Sequence, residues 1–326
     1  TLNPIPPELF LRISRIVLVL LLAALLTLLT ITIQLKFGWI ASITFSLFCV
    51  FSYWMIGPSK HLLWFYFVLF LPFIYSIYMY PRFITGIISN KVFFGWMLVI
   101  FTLVWLRGYE YISGLTISAA IPVVYHQLKR KQIKKLFLHG LLIGLCGVIA
   151  YVVVMGINYL QLLHYYNEPG VAFDYLLGKA LFRVQGTAPK TIKMSELFIA
   201  WGEIRFFYLP EAIADMIPNW LKALMPQNKI RTVYLLFGID LAVTLALSLL
   251  LKGNKKTQPI WLERVDDLML VGITTATAMV GSLSWFLAKG HMIAHPHMNG
   301  IMFMTPFALT LYFYTGILMQ FFVDWH

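Results

Sequence analysis

Charge is what this sequence has least of. Only 12% of its 326 residues are Asp, Glu, Lys or Arg, about half the share usual in a soluble domain. Acids are scarcer still, 13 against 25 Lys plus Arg. Cysteine is nearly absent. Cys49 and Cys146 both lie inside apolar stretches, with no CxxC spacing, and read as two buried thiols that say nothing of redox compartment. A glycine-rich phosphate loop is missing, as are a GxSxG elbow, a heptad coiled coil, a voltage-sensor arginine ladder and a selectivity-filter sequence. No internal repeat is detectable, so an inverted-repeat transporter is unsupported. No short leader with an A-x-A site is present. The chain opens at Thr1 without Met, so either the initiator was removed or a longer protein is represented in part.

What is there in abundance is apolar surface. Hydrophobic residues make up 60% of the chain and mean hydropathy is +0.80. A soluble protein of this composition would expose large sticky patches, which a bilayer instead solvates. Aromatics reach 16%, with 10 Trp and 17 Tyr, as interfacial belts require. Net charge is +12, concentrated in short basic runs between apolar segments. That is the pattern of loops beside anionic lipid, and it argues against a nucleic-acid partner.

A hydrocarbon core of roughly 30 Å takes about 20 helical residues to cross, and backbone groups inside it must be satisfied within the segment. Nine runs qualify: 16–35, 39–56, 62–80, 92–106, 111–125, 137–160, 232–251, 268–287 and 301–322. The expected fold is therefore an all-α polytopic membrane protein with about nine transmembrane helices. The expected division is a bundle of six spans over 1–160, a loop over 161–228 and a bundle of three spans over 229–326. The fourth and fifth runs are short, either two tight spans or one broken pair around Arg107 and Gly108.

Basic runs set the orientation. Lys129, Arg130, Lys131, Lys134 and Lys135 lie between the fifth and sixth runs, and Lys252, Lys255 and Lys256 between the seventh and eighth. The positive-inside rule puts both in the cytoplasm, with Lys36, Arg82 and Lys91 on the same side. The opposite face then holds the 107–110 connection, the 161–228 loop, the 289–300 connection and the N-terminus. Arg12 and Arg15 conflict with that last placement. A missing preceding span, or a miscounted fourth–fifth pair, would remove the conflict. In the long loop, 173–177 and 197–208 read as short amphipathic helices on the interface, punctuated by Pro189, Pro210, Pro218 and Pro226.

Four groups of residues can carry chemistry. Arg107, Tyr109 and Glu110 sit between two short apolar runs, at or near membrane depth, where ionisable groups are costly and functional by default. Arg107 suits phosphate because its planar fork matches phosphate oxygens. Glu110 can act as acid, base or anchor; the competing reading is a structural Arg–Glu pair at a tight turn. Secondly, His291, His295, His297 and Asn299 crowd one connection, with three of the chain's 8 His inside it. His291 and His295 share a helical face before Pro296 breaks it. They can bind a diphosphate or sugar hydroxyl, build a metal site, or simply sit in a hydrated loop. No local carboxylate or Cys completes a ligand set, so a divalent cation is possible but not demanded. Thirdly, the long loop carries acids. Asp174 and Glu203 stand out among them as general-base candidates, each beside aromatics in an amphipathic stretch. Fourthly, Asp240 falls at mid-depth of the seventh run. It is either a proton or ion site or a packing hydrogen bond to a nearby Ser, Thr or Tyr.

Two of these stretches, 105–122 (WLRGYEYISGLTISAAIP) and 284–306 (SWFLAKGHMIAHPHMNGIMFMTP), resemble segments of bacterial multi-span proteins of the GT-C glycosyltransferase class. That resemblance implies inverting transfer of a sugar from a polyprenyl-phosphate carrier, on the extracytoplasmic face of a bacterial inner (plasma) membrane. Arg107, Tyr109 and the His291–Asn299 group would then bind carrier and sugar, with Glu110, Asp174 or Glu203 as base. One departure stands against it. The class usually carries its catalytic acid in a large outer loop after the first span, whereas here a few residues around Gly38, with no acid, join the first two runs. Further readings stay open: a divergent non-catalytic relative of that class, an accessory subunit of a larger membrane complex, a lipid or small-anion transporter using Asp240 and Arg107, and a haem or metal membrane protein.

Overall fold

Each of the nine apolar runs has its described residues mainly in a helix. The computed structural model describes residues 6–52, 66–108, 111–185, 230–254, 258–284 and 304–325, and among them regular structure is helical throughout. Helices α1 (Pro7–Phe37), α2 (Trp39–Phe51), α3 (Tyr66–Ile84), α4 (Asn90–Arg107), α5 (Ile112–Lys129) and α6 (Ile133–Tyr166) are followed by α7 (Pro169–Gln185). Helices α8 (Ile230–Gly253), α9 (Pro259–Leu283) and α10 (Leu309–Trp325) complete the set, a π-helical turn Met304–Ala308 leading into α10. Six of these, α1, α3, α4, α6, α8 and α10, are long and apolar enough to cross a membrane, and α2 is a shorter apolar helix. This is the architecture of a multi-pass integral membrane protein.

Local chemistry sets the helix ends. Pro6 precedes α1 and Pro7 begins it, where a missing N–H costs nothing. Gly38 ends α1 at φ 101 while its N–H bonds Gln34 O. Ser89 caps α4 by accepting from Val92 N. At the end of α5, Lys131 takes a left-handed conformation, φ 56. There Lys131 N bonds Leu128 O and Gln132 N bonds Gln127 O, both at 2.9 Å. That pair of bonds is a Schellman ending, and it lets α6 begin two residues later.

Several helices extend beyond the apolar runs, α1 by starting at Pro7 rather than 16, and two of these extensions show their cause. Helix α6 continues to Tyr166, past the expected end at 160, because nothing breaks it until Asn167 turns left-handed at φ 54. Helix α9 begins at Pro259, nine residues ahead of the apolar run. Its first turns carry Glu263, Arg264, Asp266 and Asp267, and the last three are paired with charges on other helices.

Helix α10 is the centre of the packing. In its apolar stretch 78% of residues are buried, against 39% or less in the other five long helices. It lies against α2, α9, α8 and α1. A Cβ on Gly316 would stand 2.6 Å from Ala41 O, so α2 and α10 approach through small residues, as helices in lipid do. Elsewhere Trp105 Nε1 donates to Gly147 O at 3.1 Å, joining α4 to α6 through a fully buried indole.

The ion pairs among the described residues gather at one end of the bundle. There Lys129 pairs with Asp267 at 2.8 Å, Lys252 with Asp266 at 2.7 Å, and Arg264 with Asp324. These contacts tie the last turns of α5, α8 and α10 to the first turns of α9. At the same end Gln127 Nε2 donates to Tyr80 Oη at 2.6 Å, which also meets His139 Nδ1 at 2.7 Å. The start of α4 is there too, because Tyr75 Oη donates to Phe93 O. So α4 leaves the basic end and α5 returns to it. The short fourth and fifth runs are two antiparallel helices, not one broken helix.

Candidate functional site

The opposite end of the bundle holds Arg107 and the end of α9, the described residues that flank the polar stretches singled out by sequence. Arg107 is the last residue of α4 and is partly buried. Its guanidinium lies 5.5 Å from the ring centroid of Tyr111, a cation–π distance, and Tyr111 is itself buried. Gly108 ends α4 and Tyr111 opens α5. Tyr109 and Glu110 lie outside the described residues.

The end of α9 reaches this place. Ser284 Oγ donates to Ser113 Oγ at 2.7 Å, linking the residue after α9 to the first turn of α5. One turn deeper, a Cβ on Gly281 would stand 3.0 Å from Ile117 Cγ2 and 3.5 Å from Gly114 O, so the two helices are in backbone-close contact. The connection leaving α9 therefore starts beside the connection that carries Arg107. His291, His295, His297 and Asn299 lie outside the described residues, as does Glu203.

Asp174 is exposed on α7, which packs against α6. The amphipathic stretch 173–177 is part of this longer helix, held by buried Ala172 and by Tyr166 against Tyr175, ring centroids 5.8 Å apart. The structure thus brings Arg107 and the start of the His connection to one end, and leaves Asp174 on a separate solvent-facing helix. Among the described residues no three of His, Cys, Asp and Glu converge as a metal site would need.

Asp240 makes the packing hydrogen bond expected of one of its two readings. It is 3% exposed on α8, and its Oδ2 accepts from Thr315 Oγ1 on α10 at 2.5 Å. Tyr314 Oη donates to Thr244 Oγ1 at 2.6 Å and lies 3.2 Å from Asp240 O. Asp240 and its hydroxyl neighbours therefore clamp α8 to α10.

Sequence reasoning missed the Gln127–Tyr80–His139 chain at the basic end. Its members come from three helices, 47 and 59 residues apart, so no local spacing signals it. The one available hint is that each is a polar residue near the end of an apolar run.

Compared with protein-family models, with curated proteins and with solved structures, the chain matches none.

Proposed function

We propose that the protein transfers a sugar from a polyprenyl-phosphate carrier at the end of the bundle opposite its basic loops, which places that end outside the cytoplasm of a bacterial inner membrane. The observation that carries this reading is the Ser284–Ser113 hydrogen bond. It sets the roots of the Arg107–Glu110 and His291–Asn299 connections side by side.

In this reading a carboxylate, with Glu110 the first candidate and Asp174 and Glu203 behind it, removes the acceptor hydroxyl proton. The acceptor oxygen attacks the anomeric carbon, and the bond from that carbon to the phosphate oxygen breaks. Polyprenyl phosphate leaves with the electron pair, and configuration inverts. Arg107 and the histidines offset the charge gathering on the departing phosphate. The test is transfer of labelled sugar from a polyprenyl-phosphate donor by the chain reconstituted in liposomes. Glu110→Gln is expected to lower turnover by roughly a hundredfold or more and Arg107→Ala to weaken carrier binding. Unchanged turnover in both variants rejects the assignment.

One observation favours an accessory subunit instead. Helices α1 and α2 are joined through Gly38 alone, at the basic end, so no acid-bearing outer loop follows α1. Isolation of the chain only in a stoichiometric complex, with activity residing in the partner, would select that reading.

A further inference from the structure

We infer that the groove between α5 and α6 is a site for a phospholipid of net negative charge, its acyl chain lying in the groove and its phosphate resting on the lysines at the start of α6. This goes beyond the proposed transferase reading. It rests only on the chain being embedded in a membrane.

The groove is a concavity of about 380 Å³, lined by Ala120, Val123 and Val124 of α5 and by Leu136, Phe137, Gly140 and Leu141 of α6. Its lining is aliphatic and aromatic. Phe137 and Leu141 are 72% and 71% exposed, so the protein leaves this side to another apolar occupant. Gly140 faces open space there: a Cβ on it would meet nothing within 4 Å. In lipid, an open apolar channel of this kind fills with an acyl chain.

Charge selects the headgroup. Lys134 precedes Phe137 by one helical turn and Leu141 by two, so all three share one face of α6. Lys131, Lys134 and Lys135 are exposed, and among the described residues none forms an ion pair with an acid. Lys129 is different, being already committed to Asp267. From residue 111 to residue 167 the sequence contains no Asp or Glu. The mouth of the groove is therefore a local positive field with no acid of its own segment to offset it. Basic pockets between transmembrane helices bind anionic headgroups for this reason. The tight Schellman turn holds Lys131 close to the start of α6, which adds its charge to that of Lys134 and Lys135 at one place.

The test is native mass spectrometry of the full chain, purified in neutral detergent, stripped of lipid, and offered phosphatidylglycerol or phosphatidylcholine with identical acyl chains. Wild type is expected to retain phosphatidylglycerol about tenfold or more over phosphatidylcholine. Replacing both Lys134 and Lys135 by Gln should bring the two lipids nearly level, each lysine accounting for about fivefold. Gly140→Leu should reduce retention of both lipids, because its side chain occupies the acyl position. Should Gly140→Leu fail to fold, the exposed lysine variants carry the test alone, checked by an unchanged elution volume and melting temperature. Equal retention of the two lipids by wild type overturns the proposal. So does unchanged retention in the lysine variants, or displacement of lipid by soluble glycerol phosphate at equal concentration. A change of oligomeric state in Gly140→Leu would assign the groove to a second copy of the chain and also overturn it. Loss of the transferase reading leaves all these outcomes unaffected.

Discussion

Thr315 Oγ1 on α10 donates to Asp240 Oδ2 on α8 at 2.5 Å, and the hydroxyl also reaches Leu311 O at 3.1 Å. A carboxylate at mid-depth is thus held by a neighbouring helix, with the adjacent Tyr314 reaching Thr244 one turn along α8. Asn at 240 keeps an acceptor of the same shape facing Thr315. Asp240→Asn is therefore expected to change stability by less than about 1 kcal/mol. Thr315→Val leaves the carboxylate without that donor and should cost about 1–3 kcal/mol. Thermal unfolding in a fixed detergent distinguishes the two. A transport role for Asp240 predicts the same stability for Asp240→Asn but loss of uptake, whereas a packing role leaves uptake unchanged.

Glycines divide by what surrounds them. At Gly316 a Cβ would press to 2.6 Å from the Ala41 carbonyl oxygen, a backbone atom that cannot swing aside, whereas at Gly144 it would meet nothing. Gly316→Ala must push α2 from α10 and is expected to destabilise by about 1–3 kcal/mol or more. Gly144→Ala gains helix propensity and should be neutral or stabilising by up to about 1 kcal/mol. Melting temperatures of the two variants in the same detergent should move in opposite directions, or only the first should move. A similar loss in both would mean the α2–α10 contact is looser than its geometry indicates.

The length of continuous apolar runs located most of the helices because lipid imposes one requirement on every span: an uninterrupted apolar run with internally satisfied backbone. It misjudged where charged residues remain helical. Glu263, Arg264, Asp266 and Asp267 read as loop, yet Asp266 and Asp267 meet Lys252 and Lys129 and Arg264 meets Asp324. Those partners are distant in sequence, so the pairing could not be read from spacing. Helix α10 gave a different difficulty. Its apolar run looks like any other, and only three-dimensional packing marks it as the buried centre of the bundle. In the candidate site, Arg107 was legible as an ionisable group between two short runs. The contact of Ser113 with Ser284 was not, since two serines 171 residues apart carry no pattern.

Trp105 supplies a separable test of the α4–α6 contact. Its ring is fully buried and stacks on Phe101 at 5.4 Å, while its N–H serves Gly147 O. Trp105→Phe keeps an aromatic ring but removes the donor and some volume. The Gly147 carbonyl also accepts within α6, so loss of the indole leaves it partly satisfied. The expected cost of the lost bond is about 0.5–1.5 kcal/mol, with a further cavity contribution. A variant as stable as wild type would show that the indole N–H adds nothing net.

Sidedness joins the fold to the proposed site. Contacts at Lys129 and Asp267 gather the basic helix ends, and Ser113 and Ser284 meet at the other end. Single cysteines placed in a background without Cys49 and Cys146 should therefore label in two groups. A cysteine at Lys131 should react with a membrane-impermeant maleimide only in inverted vesicles. Cysteines at Gly108, Asn167 and Asn299 should react from the outside of intact cells. If Gly108 and Asn299 label from opposite sides, Arg107 and the His connection cannot share a substrate, and the transferase reading fails while the helical bundle stands. If all four label from one side, the antiparallel passage of α4 and α5 is itself wrong, because α5 alone separates Gly108 from Lys131.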